Sequence, residues 1–568
     1  MKYRKRYYWV WLVLYLAVGV REGISTGRIP ERARNGMVVS ASRYASQVGV
    51  DILRKGGNAV DAAVATAFAL AVTWPSAGNI GGGGFLVYHG ADGFVTAFDF
   101  REKAPLAATE TMFLDEDGKI RNRSNHEGLL AVGVPGTVAG LALAHQRLGK
   151  LPWKELVQPA IDLARKGFPV TWALHDAMIR LQPWFEKYPS TARVFLKHGR
   201  EPYQPGELWK QPDLAETLKR IQKYGKDGFY RGKTARLIAE FMRRHGGLIT
   251  EEDLARYEAK ERRPVHGTYR GYDVYAMCPP SSGGVALVEM LNILEGFNLS
   301  EMGHNSALYM HLLTEAMRRA FADRARYLGD PDFNPDMPIE KLISKAYART
   351  LRRSIDLFRA SKSDPTKFND LYESTETTHL SVVDAEGNAV SLTYTLEQGY
   401  GSKIVVEGAG FLLNNEMGDF NPIPGLTDTT GLIGTPPNLI APEKRMLSSM
   451  TPTIVAKDGK PVLVIGSPGG RTIINTVLQV ILNVIDHGMN IGEAIEAGRI
   501  HHQWLPDVTF IERGATTLDS RRLYEMMGHR VRIRRMQGRA MGIYIDHSRG
   551  ILYGAADTRS PDGAAIGY

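Results

Sequence analysis

The chain has 568 residues, 43% hydrophobic and 23% charged, which is more than one ordinary core needs and predicts two domains or one large multilayered domain. Lys and Arg outnumber Asp and Glu by 70 to 61, but Lys2, Arg4, Lys5 and Arg6 supply four of the nine net charges, and no dense basic run with interleaved aromatics follows, so nucleic-acid binding finds no support. The single cysteine, Cys278, excludes an intrachain disulfide; in "YAMCPPSSGG" it reads as a small hydrophobe where a strand enters a turn.

In chain order, "MKYRKRYYWVWLVLYLAVGV" joins a basic head to an apolar run from Tyr7 to Val20. The run is shorter than the ~20 residues a spanning helix needs, so residues 1–20 read as a secretory signal, with a retained anchor as the alternative. No later stretch is long and apolar enough to span a bilayer, and the body is expected to be exported, periplasmic or secreted. "NAVDAAVATAFALAVTWP" predicts a long Ala-rich helix that stops at Pro75. The glycines of "IGGGGFLVYH" lack dinucleotide-binding spacing and lead into a strand, which points to close backbone packing or a ligand-facing loop. Residues from about 130 to 360 read as mainly helical, with "ELVQPAIDLARKG", "KTARLIAEFMRRHGG" and "SALYMHLLTEAMRRAFADRARYLGD" among the periodic segments.

The polar stretch "SKSDPTKFNDLYEST" predicts an exposed linker over about 361–376. Directly after it, Leu380–Val383 and Ala389–Thr395 flank the turn-forming cluster Asp384–Asn388, a β-hairpin pattern. A hydroxyl residue at the first position of a core strand, preceded by a loose peptide, is a place where backbone scission would create a fixed N-terminal amine. Thr377 and Thr378 both satisfy that description. Beyond the hairpin the strands "TPTIVAKDGKPVLVIG", "VTFIE", "HRVRIR" and "GIYIDHSRGILYGAAD" surround the helices "TIINTVLQVILNVIDHG" and "NIGEAIEAG". Helices at both ends with strands between predict an α+β sandwich of sheets covered by helices.

The motifs "DFREKAP", "TTHLSVVDAEGNAVSLTYT", "LLNNEMGDF", "LSSMTPTIV", "GSPGGRTIINTVLQ" and "HHQWLPD" together resemble the γ-glutamyltranspeptidases, glutathione hydrolase proenzymes of the N-terminal nucleophile hydrolase superfamily, from about Val38 to Tyr568. The resemblance implies a four-layer αββα sandwich formed jointly by two autoproteolytic chains. Residues 21–376 would be the large subunit and residues 377–568 the small catalytic one. In this pattern the first Thr is the nucleophile: Thr377 would attack the carbonyl of Glu376, shift the acyl group from nitrogen to oxygen and be released as a new N-terminus. An α-amino group titrates near ~8, so it can accept the adjacent hydroxyl proton at neutral pH. Thr395 matches the family's second threonine, which supports maturation. Gly469 and Gly470, at a strand-to-helix junction, match its oxyanion hole; glycine lets backbone N–H groups approach a developing oxyanion.

A γ-glutamyl group ends in an α-carboxylate and an α-ammonium, so its pocket needs fixed charges of both signs. Arg101 resembles the family's carboxylate-binding arginine, with Ser448 and Ser449 as further donors, and Asp419 with Glu416 would hold the ammonium. Glu397 stands where many members have Asn, and as a carboxylate it would still contact the ammonium. In "NPIPGLTDTTGLIGTPPNLIAP", Thr430 stands in the place of a gating aromatic, an arrangement that predicts easier access of water to an acyl intermediate. The implied substrates are glutathione and related γ-glutamyl compounds, with water, amino acids or dipeptides as acceptors and no cofactor. Alternatives within the family are hydrolysis of poly-γ-glutamate or of a β-lactam side chain, and outside enzymology an uncleaved binding relative. His501 and His502 lack the i, i+4 spacing of a metal pair and read as core histidines, so no metal ligand is assigned.

Overall fold

The computed structural model describes residues 28–364, 377–430 and 432–568. The signal sequence read at residues 1–20, the linker from 365 onward and Glu376 lie outside the described residues. Among the described residues no helix is long and apolar enough to cross a membrane.

Two seven-stranded sheets dominate the architecture. Their strands, in chain order, are β1 (Glu31–Ala33), β2 (Met37–Ser40), β3 (Gly83–His89), β4 (Val95–Phe100), β5 (Lys260–Arg262), β6 (Val265–Tyr269), β7 (Tyr272–Ala276), β8 (Thr378–Val383), β9 (Ala389–Thr395), β10 (Thr453–Lys457), β11 (Lys460–Gly466), β12 (Met541–Asp546), β13 (Ile551–Ala556) and β14 (Ala564–Gly567). One sheet runs β14-β2-β8-β9-β3-β4-β5 and the other β1-β13-β12-β11-β10-β7-β6, and within each every neighbouring pair is antiparallel. The sheets pack face to face, with β8 against β11 and β12, and β9 against β10 and β11. Helices α1 (Arg43–Arg54) and α2 (Ala59–Thr73) cover the first sheet, while α3 (Gly283–Leu294) and the later helix α4 (Thr472–Ile485) cover the second. This is the αββα sandwich.

The region read as helical from 130 to 360 also contains β5, β6 and β7, which extend both sheets. The stretch is mainly helical as expected, and these strands, short and half-exposed with weak apolar alternation, are what the reading left out.

Local sequence explains the elements that carry the site. Helix α2 is apolar on every face and all its residues are buried, as a helix enclosed by protein must be. Asn58 and Asp61 form its capping box, and the Asp384 carboxylate accepts from Ala59 N at 2.9 Å. The same carboxylate accepts from Glu386 N at 3.0 Å and Asn388 N at 2.9 Å, so one residue closes the β8–β9 turn and ties the hairpin to α2.

His379, second in β8, lies between the sheets. Its Nδ1 is 2.8 Å from Thr393 Oγ1 and its Nε2 3.0 Å from Ser381 Oγ. A Cβ at Gly466 would fall 2.3 Å from the ring, so glycine there lets the facing sheet close over it. Burial pushes the imidazole down to about 3, which keeps it neutral. Ser381 Oγ donates to Met541 O at 3.1 Å and Ser391 Oγ to Ile465 O at 3.0 Å, pinning the hairpin to the opposite sheet.

Candidate active site

One end of the sandwich collects a strand terminus from each part of the motif set. The β8–β9 register pairs Thr378 with Tyr394, so the next pair outward is Thr377 with Thr395. Thr395 in turn faces Gly83 of β3. A Cβ at Gly82 would sit 2.0 Å from Thr395 O, which makes the glycine run a close-packing device beneath the second threonine. Asn79 Nδ2 donates to that carbonyl at 2.8 Å and Glu397 N donates to Thr395 Oγ1 at 2.9 Å. Phe100 ends β4 at the same edge and delivers Arg101.

These residues open into one cavity of about 400 Å³. Its wall includes Thr377, Thr395, Arg101, Glu397, Glu416, Asp419, Ser448, Ser449 and Gly470. Gly469, with φ of 136°, sits just behind: a Cβ there would meet Thr472 Oγ1 at 2.4 Å, and its carbonyl accepts from Thr472 Oγ1 at 2.6 Å as the chain enters α4. Of the ten predicted site residues that are described, the fold therefore brings nine to one cavity, and the tenth, Gly469, directly precedes the lining residue Gly470.

Several of the lining charges cluster around Arg101. Arg101 is fully buried, and its two terminal nitrogens donate to Glu416 and Asp419, while Nε donates to Met446 O at 3.2 Å. Burial alone would depress this guanidinium, but Glu416, Asp419 and Glu102 outweigh it and raise its pKa. Burial raises Glu416 well above the carboxylate range despite Arg101, because Glu102, Asp419 and Glu397 crowd it. Glu397 is also raised by burial, opposed by His126, whose Nδ1 lies 3.3 Å from Glu397 Oε1. Glu397 holds φ at 79°, a backbone conformation that side chains other than glycine rarely adopt and that concentrates at functional sites. Asn438 joins the two halves of this wall: its Nδ2 donates to Asp419 O at 2.7 Å and its Oδ1 accepts from Leu447 N at 2.8 Å.

On the serine side, Ser448 Oγ accepts from Met450 N at 3.1 Å and Ser449 Oγ accepts from Arg324 Nη2 at 3.0 Å. Arg324, Arg123, His126, Asn438 and Arg471 also line the cavity and were not singled out from sequence. Thr430 is exposed and stands outside the lining; Leu432 and Ile433 form that part of the wall.

The family model described as Gamma-glutamyltranspeptidase matches residues 45–567. The chain belongs to the γ-glutamyltranspeptidase family. It is 48% identical over 542 residues to the glutathione hydrolase proenzyme of Escherichia coli K12, with 95% of this chain and 93% of that protein covered. A cephalosporin acylase structure from Bacillus halodurans matches with a TM-score of 0.83 at 29% identity, covering 96% of this chain and 98% of that one. The γ-glutamyltranspeptidase structure from Helicobacter pylori matches with a TM-score of 0.56 at 44% identity, covering 59% of this chain and 94% of that one. Membership of this family fixes the fold as that of the N-terminal nucleophile hydrolases.

The remaining candidates fall outside the cavity lining. His501 is buried with Nδ1 2.7 Å from Asn475 Nδ2 and Nε2 2.7 Å from Gln503 Oε1; His502 Nε2 is 3.2 Å from Asp507 Oδ1. A second histidine group, His311 and His529 with Glu315, is likewise internally bonded, the two rings 2.8 Å apart at Nδ1 and Nε2 and Glu315 taking Arg319 Nη1 at 2.6 Å. Cys278 packs half-buried against the core, and burial pushes its thiol up to about 12, far from a reactive thiolate.

Proposed function

We propose that this chain is an exported, self-cleaving γ-glutamyl hydrolase and transferase that acts on glutathione and related γ-glutamyl amides. The observation that carries the reading is the convergence of Thr377, in register with Thr395, on a cavity whose lining also holds Arg101, Glu416, Asp419 and the Ser448–Ser449 pair. Fixed charges of both signs suit a zwitterionic amino-acid head, and the length of the glutamyl side chain then presents the γ-carbonyl to a nucleophile.

In maturation, Thr377 Oγ1 attacks the Glu376 carbonyl, the peptide C–N bond breaks, and the acyl group moves to oxygen. Water hydrolyses that ester, leaving a Glu376 carboxylate and a free Thr377 α-amine. In turnover the α-amine takes the hydroxyl proton as Oγ1 attacks the donor's γ-carbonyl, and it returns the proton to the leaving amine. The N–H groups of Gly469 and Gly470 stabilise the oxyanion. Water or the amine of an amino acid or dipeptide then releases the γ-glutamyl group from Thr377. Residues 377–568 form the catalytic subunit, held to the large subunit as a heterodimer, and the basic, apolar leader directs export.

The acylase likeness gives a second reading, hydrolysis of a β-lactam side-chain amide, for which a glutaryl group serves as a probe donor without an α-ammonium. A donor without an α-ammonium fits less well, because burial and mutual crowding push Glu397 and Glu416 toward their neutral forms and a further cation at that wall offsets this. The test compares p-nitroaniline release from γ-glutamyl and glutaryl anilides, together with glutamate release from glutathione, by purified protein checked on a denaturing gel. Two bands and a strong preference for the γ-glutamyl donor are expected. A single band near 62.9 kDa or a preference for the glutaryl donor overturns the reading.

A further inference from the structure

Arg324 lies on the helix Ala307–Tyr327, a surface far in sequence from every motif used above, and yet its buried side chain reaches the cavity wall. Its Nε donates to Ser282 Oγ at 2.8 Å and its Nη2 to Ser449 Oγ at 3.0 Å. Ser282 passes the connection on: its Oγ donates to Ser448 O at 2.6 Å, and its backbone N donates to the same carbonyl at 2.8 Å. The Ser448–Ser449 segment is thus fastened from behind by a side chain and by the start of α3.

The chemistry of the donors makes this more than a brace. A guanidinium carries five N–H donors and no acceptor, so Ser449 Oγ must act as the acceptor toward Arg324. The serine proton is left to point elsewhere, and Ser449 faces the cavity. A hydroxyl oriented in this way is a donor toward an anion. The same contact polarises the O–H, because a hydroxyl that accepts from a cation becomes a stronger donor. Arg101, by contrast, already meets Glu416 and Asp419, so its charge is shared with protein carboxylates.

We propose that Arg324 is a positioning residue for donor specificity: it fixes Ser449 as a hydrogen-bond donor and adds positive charge behind it, so that the site selects γ-glutamyl donors by their α-carboxylate. The inference rests on the proposed donor pocket. Arg324 itself need not touch the donor.

The experiment uses the full processed protein, with γ-glutamyl-p-nitroanilide and 4-aminobutyryl-p-nitroanilide, which differ by the α-carboxylate alone. Turnover of the γ-glutamyl anilide by the unaltered protein tests the pocket; the variants test Arg324. Arg324→Gln is expected to raise KM for the γ-glutamyl donor at least ~10-fold, the size of one lost hydrogen bond to a charged group, with kcat changed far less. For the 4-aminobutyryl donor kcat/KM should stay within about twofold. Arg324→Lys, which keeps the charge and one donor, should recover part of the loss and also serves if the Gln variant fails to fold. Combining Arg324→Gln with Ser449→Ala should cost little more than either change alone, since both interrupt the same contact. Equal losses for both donors, an unchanged KM, or additive effects in the double variant would each overturn the proposal.

Discussion

Thr377 and Thr395 extend the antiparallel β8–β9 register by one pair beyond Thr378 and Tyr394, and both line the cavity. Such pairs hold their side chains within reach of one another on one face of the sheet. If Thr377 is the nucleophile, Thr377→Ala should leave only the intact 62.9 kDa chain on a denaturing gel, while Thr377→Ser should still cut, more slowly. Thr395→Val, which keeps the shape and removes the hydroxyl, should slow cutting without abolishing it. Two normal bands from Thr377→Ala, with Thr378 at the new terminus, would move the assignment by one residue.

Arg101 should be separable from the backbone chemistry. Arg101→Lys keeps a positive charge but loses the planar fork that spans Glu416 and Asp419. Loss of one charge-assisted hydrogen bond, ~1.5–3 kcal/mol, corresponds to roughly 10- to 150-fold in binding. Michaelis constants for a γ-glutamyl anilide should rise by that factor while the rate of precursor cutting stays near its original value. An unchanged Michaelis constant would remove Arg101 from donor binding.

Water access is predicted to depend on Leu432 rather than Thr430, because Leu432 lines the cavity and Thr430 faces solvent. Closure over an acyl intermediate excludes water. Leu432→Ala should therefore shift partition toward free glutamate, whereas Thr430→Ala should leave the ratio of γ-glutamyl-dipeptide to glutamate unchanged. Product counting at fixed glycylglycine concentration decides between them; an equal shift in both variants would place the gate elsewhere.

Acid should destabilise the fold through its buried neutral histidines. Burial holds His379, His501 and His529 down to about 3 and His304 and His502 to about 4, below the ordinary 6.5. The unfolded chain binds these protons first, so the contribution is complete above pH 6.5 and falls as pH drops toward the folded values. For His379 the loss by pH 5 is ~2 kcal/mol. Melting temperatures at pH 7 and pH 5 should differ less for His379→Gln than for the unaltered protein. A His379→Gln variant with the same acid sensitivity would show that this imidazole is not held neutral.

Much of the framework was legible because local signals agreed with the fold. The Asp384–Asn388 turn cluster between two β-rich runs gave the hairpin, and the uniformly apolar run from Ala59 gave a helix that is buried on all sides. Strands β5 to β7 escaped notice: "KER", "VHGTY" and "YDVYA" carry too few buried positions to outweigh the helical segments around them. At the site, Arg101 and the Ser448–Ser449 pair could be found from motifs, whereas Arg324 could not. It sits among Arg318, Arg319 and Arg326 on one helix, and only the tertiary packing decides which arginine turns into the cavity. His126 was similarly hidden, in the irregular stretch "RNRSNHEG", where nothing periodic marks a ring that will stand beside Glu397.

The strand order has a consequence for the life history of the molecule. In one sheet β2 lies between β14 and β8, and in the other β1 and β7 flank the four strands β10 to β13, so segments from either side of Thr377 alternate within the same ladders. A cut before Thr377 would therefore leave two polypeptides that cannot part without stripping both sheets, and dilution should not separate them. Refolding changes in kind. The uncut chain finds its partners within one molecule, but the cut form, once denatured, must reassemble by a second-order encounter between pieces that are each missing strands. Cutting would thus act as a ratchet: folding has to come first, and afterwards the native state persists through slow unfolding more than through ready recovery.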